Sequence, residues 1–211
     1  MEPADPDSLD ASVTDPDRSP GDAAGDSPAL AALLEFLALE RLPRTGWLQA
    51  GLPAAESIAA HSQGVATLAL TLGAAVEPPL DLDRAVSLAV AHDLPEARLG
   101  DLPRRATELL PAGAKRAAER AAADALLGPF APAARARLDE YLEGATREAR
   151  FVALCDRLHL ALRLLGYARS GARGLGRFRA GVEALDCGEF APAARLHGEL
   201  VRALAATEAW S

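Results

Sequence analysis

After residue 27, apolar side chains recur at three- and four-residue intervals, the period of one helix face, over nearly the whole chain. Ser27 and Pro28 make an N-cap and first helical position, and Leu30, Leu33, Leu34, Leu37 and Leu39 follow as a short amphipathic helix. Residues 41–53, with Pro43, Gly46, Gly51 and Pro53, read as a loop. Ser57 caps a helix over about 58–75 whose stripe is His61, Val65, Leu68 and Leu72. Pro78-Pro79 marks a turn. Asp81 or Asp83 then opens a helix that delivers Leu88-Ala-Val-Ala-His92-Asp93. Further helices are predicted from Pro103 to about 110, over 114–127 and over 132–142, the last two separated by Gly128-Pro129. The longest runs from about 146 to 168, with a stripe of Phe151, Leu154, Cys155, Leu158, Leu162 and Leu165. A glycine-rich loop at 171–176 precedes helices over about 178–185 and 192–206. Alternating strand patterns are almost absent, so the predicted fold class is all-α, a helical bundle.

Composition agrees, since half of the 211 residues are hydrophobic but only 4% are aromatic, and Ala and Leu suit helices. The net charge of −8 is unevenly spread. Residues 1–26 hold eight acidic side chains and Arg18 as the one base, a net of −7, which leaves about −1 for the rest. That segment has almost no large apolar residues, so 1–26 is expected to be a disordered acidic tail and 27–211 a single helical domain. An acidic chain without a basic cluster argues against a nucleic-acid partner. No apolar run reaches the roughly 20 residues of a membrane span, and no signal-peptide pattern is present. Cys155 and Cys187 stand far apart with no CxxC, which fits a reducing cytoplasm.

The chemistry gathers on a few polar residues inside apolar runs. His92 and Asp93 offer one nitrogen and one oxygen ligand to a divalent cation. Adjacent helical side chains diverge by about 100°, so they can share an ion only with ligands from neighbouring helices. Alone, the pair is equally an ordinary helix end. His61 precedes it by thirty-one residues, room for two antiparallel helices that bring the two histidines together. A lone histidine in such a stripe is more often a satisfied core residue. Asp156 sits within the longest apolar helix, where a carboxylate is expensive unless paired or bound to metal. Arg157 and Arg163 are its nearby bases, neither at a spacing of three or four. Glu96 lies about one turn beyond Asp93 and can lean over the same site. His159 is a neighbour of Asp156 or a core residue, and His197 is surface or core. Trp47 reads as a core anchor or as a pocket wall, and Arg44 as a surface charge or a phosphate clamp.

In order and spacing, His61, His92-Asp93 and Asp156 resemble the HD-domain phosphohydrolases. Longer runs are similar to the HD-domain 5′-deoxynucleotidases from about Leu30 to Gly166. They are Arg44-Thr-Gly-Trp47, Gly51-Leu-Pro, Glu56-Ser-Ile-Ala-Ala-His61-Ser, His92-Asp93-x-x-Glu96-x-x-x-Gly100-Asp101 and Phe151-Val-x-x-x-Asp156-Arg. The resemblance implies an HD-domain helical bundle with one divalent ion per chain, Mn²⁺, Co²⁺ or Mg²⁺, held by His61, His92, Asp93 and Asp156. It implies release of the 5′-phosphate from deoxynucleoside monophosphates and assembly as a homodimer. Trp47 would crowd the sugar 2′ position, Asp101 would contact the sugar, and Arg44 or a nearby base would orient the phosphate. Two positions depart from the family pattern. Gly46 stands where some members have the arginine next to the tryptophan, and Ala60 stands where an acidic residue often precedes the histidine.

Glu96 is the residue best suited to orient the attacking water or carry its proton. Other classes stay open at this point. Two-metal HD enzymes need extra histidines, and none stands between His92 and His159. Alarmone hydrolases carry an acidic residue where Ala97 stands. A non-catalytic HD fold acting as a nucleotide sensor is the alternative outside enzymes, against which the complete ligand set speaks.

Overall fold

The computed structural model describes residues 26–208 and 210, and the expected tail lies, apart from Asp26, outside the described residues. The chain order is α1 (Pro28–Phe36), a 3₁₀ turn (Leu37–Glu40), α2 (Thr45–Leu48), α3 (Ile58–Gly73), α4 (Leu82–Ala91), α5 (Glu96–Leu99), α6 (Arg104–Thr107), α7 (Ala114–Leu127), α8 (Pro132–Glu143), α9 (Arg147–Arg169), a second 3₁₀ turn (Gly176–Phe178), α10 (Arg179–Glu183) and α11 (Ala191–Ala205). Among the described residues there is no strand, only one isolated antiparallel bridge between Pro43 and Ser57. The all-α reading is correct.

Local chemistry sets the helix starts. Ser27, Ser57, Asp81 and Thr146 each accept a backbone N–H three residues on, at 3.2, 3.1, 2.9 and 3.2 Å. Such caps contribute about 1 kcal/mol apiece. The long helices match their predicted spans to within a few residues. The short ones differ. A one-turn helix, α2, interrupts the predicted 41–53 loop, and the expected helix from Pro103 contracts to the single turn α6.

The centre of the bundle is α3 packed on α4 and α9, with α8 against α4, and α11 against α9. Its apolar interior includes Val65, Ala69, Leu88, Phe151, Val152, Leu158 and Leu164, all without exposed surface. Full burial of such side chains contributes about 1.5–3 kcal/mol each relative to exposure. The α9 stripe departs from prediction at Leu162, which is exposed. The helical repeat of apolar residues runs on past the point where neighbouring elements cover it. Cys155 and Cys187 are both buried free thiols. No helix among the described residues is long and apolar enough to cross a membrane.

Two backbone bonds fold the α2 segment back against the start of α3. Arg44 N–H donates to Glu56 O at 2.9 Å, and Ile58 N–H to Leu42 O at 2.9 Å. This short antiparallel clamp carries Arg44 over the end of the bundle where His61 emerges.

Candidate metal centre

Three long helices deliver the four predicted ligands to one place. His61 lies in the first turns of α3, His92 is the C-cap of α4 with Asp93 next to it, and Asp156 projects from the first half of α9. His61 Nε2 is 3.0 Å from Asp156 Oδ1 and 3.8 Å from Asp93 Oδ2, and His92 Nε2 is 3.1 Å from Asp93 Oδ2. Ligand atoms of His61, His92 and Asp156 all fall within 4.8 Å of one another.

The two nitrogens carry the argument. His61 Nε2 and His92 Nε2 are buried and make no hydrogen bond, close as the carboxylates are. A buried polar atom without a partner costs about 1–3 kcal/mol. Two of them facing two carboxylates is the donor set of a divalent cation, and the residues fit one. His92 Nδ1 stands 2.7 Å from the carbonyl of Ala89. A neutral ring that donates there has its lone pair on Nε2, as a ligand requires, so metal binding would have to displace the second proton that the carboxylates favour there. On the other ring, His61 Nδ1 is 3.0 Å from His159 Nδ1.

The local field is strongly negative. Burial alone would lower the His92 pKa, but Asp93 and then Asp156 push it up to about 9. Burial opposes ionisation of Asp93, yet His92 and Arg44 hold it well below the usual carboxylate range. Asp156 is likewise lowered, burial being outweighed by His61, His92 and Arg44. Burial also favours neutral His159, and with His61 and Arg163 takes it down to about 4.

Arg44 sits at the mouth among carboxylates. Its Nη1 donates to Asp93 Oδ2 at 3.4 Å and is 3.9 Å from Asp101 Oδ1, while Nη2 is 4.0 Å from Asp156 Oδ1. Burial works against its charge, and Asp93, Asp156, Asp101 and Glu96 more than offset it, raising the pKa. Glu96, the first residue of α5, is buried, and its Oε2 has no protein partner. Burial first, then Asp93 and Asp101, push its pKa up to about 9. Asp101 is occupied with the α2 turn. Its Oδ2 accepts the Thr45 N–H at 2.5 Å and its carbonyl accepts the Thr45 hydroxyl at 2.9 Å.

The structure places Trp47 as the core anchor that was one of its two expected roles. Its ring is 2% exposed, 5.2 Å from Tyr167 and 4.5 Å from Phe178 between centroids, and its Nε1 donates to Glu56 Oε1 at 2.9 Å. Aromatic burial and a satisfied indole N–H place it in the core. Asp156 pairs with neither Arg157 nor Arg163 in the structure. Arg163 instead faces Glu56 Oε2 at 3.2 Å. His197 Nε2 lies 2.7 Å from the carbonyl of Val182, away from the site.

Sequence reasoning missed the part of Glu56, a buried acid that receives Trp47 and Arg163 and whose backbone N–H donates to the Tyr167 hydroxyl at 2.9 Å. It also missed Thr45 and Tyr141, whose ring meets His92 at 5.3 Å between centroids. A loop acid and a helix tyrosine carry no periodic signal. Gly64 did carry one, since glycine inside a helix costs about 1 kcal/mol relative to alanine and calls for a packing reason.

Comparison with known proteins agrees with this arrangement. The HD domain family pattern matches residues 38–180. The chain is 30% identical over 154 residues to the 5′-deoxynucleotidase HDDC2 of Xenopus laevis, covering 69% of this chain and 74% of that one. A solved conserved hypothetical protein from Pyrococcus furiosus superposes with a TM-score of 0.71 at 32% identity, over 81% of this chain and 98% of its own. A solved protein of Magnetospirillum magnetotacticum, described as a predicted metal-dependent phosphohydrolase, gives 0.57 at 26% identity, over 84% of this chain and 97% of its own. With a family match over residues 38–180 and the histidines and aspartates of the motif gathered within a few ångströms of one another, this chain belongs to the HD domain family.

Proposed function

We propose that the chain is a metal-dependent phosphomonoesterase that removes the 5′-phosphate of deoxynucleoside monophosphates. The observation that carries this reading is the pair of unpartnered Nε2 atoms on His61 and His92 facing Asp93 and Asp156, with Arg44 beside them. The 30% identity to a protein named 5′-deoxynucleotidase supports the substrate class. His61, His92, Asp93 and Asp156 would hold one divalent ion per chain. Bound there, the ion supplies Lewis-acid polarisation of the phosphoryl group.

The chain's own residues do the rest. Arg44 offers a forked guanidinium to the non-bridging oxygens, where charge accumulates as water attacks phosphorus and the ester bond breaks. Asp101 holds Thr45, and through it the turn that aims Arg44. Glu96, buried with one free oxygen, orients the water or carries its proton. The 27–211 segment works as one domain in this reading, in the cytoplasm, as a homodimer and without a nucleic-acid partner.

The test is phosphate release from five deoxynucleoside 5′-monophosphates and their ribose counterparts, with Mn²⁺, Co²⁺ or Mg²⁺ added to metal-free protein. Release from the deoxy series is the expected result. Pyrophosphate release from an alarmone instead, or nucleotide binding without turnover, overturns it in favour of an alarmone hydrolase or a sensor.

A further inference from the structure

Gly64 stands in the middle of α3, a 16-residue helix. A Cβ built on it would lie 2.0 Å from His159 Nε2 and 2.3 Å from His159 Cδ2. The His159 ring is therefore pressed against the α3 backbone through a gap that only glycine leaves. Its other edge meets His61, with the two Nδ1 atoms 3.0 Å apart and the ring centroids 4.9 Å apart at 65°. Both rings are buried.

A contact between two imidazole nitrogens needs one proton, donated by one ring and accepted by the other. If His61 carried its proton on Nε2, that N–H would have only Asp156 Oδ1, 3.0 Å away but outside hydrogen-bonding geometry, and no lone pair would be left there for an ion. With the proton on Nδ1, the bond to His159 is made and the Nε2 lone pair faces Asp93 and Asp156. His92 has the same arrangement with a backbone partner, the Ala89 carbonyl.

We propose that His159 is the positioning residue for His61: its Nδ1 accepts the His61 Nδ1 proton and so turns the Nε2 lone pair toward the ion, and Gly64 is the gap that admits it. The inference rests on His61 being a ligand, and it assigns a role to two residues outside the ligand set. Partners of this kind typically change metal affinity by about 10- to 100-fold when removed.

Two measurements on the full chain test it. In metal-free protein with ¹⁵N-labelled histidine, long-range ¹H–¹⁵N correlation reports which His61 nitrogen carries the proton. Calorimetric titration with Co²⁺ alone gives the affinity. The wild type should show His61 protonated on Nδ1. His159→Phe, similar in bulk but unable to accept, should lose that preference and raise Kd about 10- to 100-fold. His159→Gln, whose carbonyl oxygen can accept, should recover most of the affinity. Gly64→Ala, which displaces the ring without altering it, should weaken Co²⁺ binding as His159→Phe does, and it serves where His159→Phe fails to fold. Wild-type His61 protonated on Nε2, or a folded His159→Phe or Gly64→Ala with unchanged Kd, overturns the proposal. A wild type that binds no Co²⁺ yet holds the Nδ1 proton, and loses it in His159→Phe, sinks the metal reading and leaves the histidine pairing standing.

Discussion

The candidate site has two walls built in different ways. One wall is His61, His92, Asp93 and Asp156, delivered by α3, α4 and α9, which pack on one another through the centre of the core. The other is Arg44, Asp101 and Glu96, on α2, α5 and the turn between α5 and α6, each helix four residues long. The first wall inherits its geometry from apolar packing, so its side chains are placed before any ligand arrives. The second is made of short elements, tied by the Arg44–Glu56 backbone bond and the two Thr45–Asp101 bonds and anchored in the core by Trp47. Binding an ion requires preformed geometry. Under the proposed function, the wall of short elements is the one that meets substrate.

The largest expected effect lies in the packed wall. Asp156→Ala removes one ligand and leaves two buried histidines facing a gap. Tight metal binding and turnover should both vanish, as measured by elemental analysis and phosphate release. Stripping the wild type with a chelator should do the same, and activity should return on adding the metal back. Full-occupancy analysis showing two ions per chain would break the one-ion reading.

Next comes Glu96→Ala, on the wall of short elements. The ion should stay bound, and turnover should fall about 10²- to 10⁴-fold, the usual contribution of a proton-transfer group. If the variant keeps activity within severalfold of the wild type, Glu96 belongs to neither chemistry nor water placement.

Trp47→Ala sharpens the contrast, because Trp47 belongs by sequence to the loop wall and by packing to the core. Stability should fall by about 3–5 kcal/mol, the range for a buried large aromatic. Denaturant titration reads this. The ratio of deoxy to ribo activity should not change in the protein that remains folded. A changed ratio would put the ring back at the sugar.

Asp101→Asn should have the smallest effect. An amide oxygen can still accept from Thr45, but the charge facing Arg44 is gone. KM should rise severalfold with kcat nearly unchanged, since a loosened Arg44 turn affects substrate capture more than the chemical step. A loss confined to kcat would place Asp101 at the reacting atoms.

These differences also explain what was legible in the sequence. Long helices announce themselves through the three- and four-residue repeat, and their capping residues mark the starts, as at Ser57 and Thr146. Polar residues inside such repeats, His61 and Asp156, stand out because burial makes them costly. Short elements have no repeat to read. Residues 45–48 form a turn because the chain folds back on Glu56 and Ser57, a contact that the local sequence does not encode. Arg44 and Asp101 lie beside the ligand cluster, whereas the packing of Trp47 depends on Tyr167 and Phe178, over a hundred residues away, which the local sequence does not announce. Gly64, a glycine inside a helical repeat, was passed over, and only the packed structure gives it a reason.

One helix also works as a ruler. Asp156, His159, Arg163 and Tyr167 follow one another along α9 at intervals of three, four and four. They reach, in turn, the candidate metal cluster, the His61 ring behind it, the Glu56 carboxylate and the Glu56 backbone. An inserted residue advances a helix by 1.5 Å and rotates everything beyond it by about 100°. Inserted at any point between 156 and 167, it would uncouple the graduations downstream from those upstream, although every named side chain would still be present. The same insertion at Gly128–Phe130, between α7 and α8, would move none of them. Spacing along α9 is thus as much a part of the site as the residues themselves, and related chains should vary in length elsewhere.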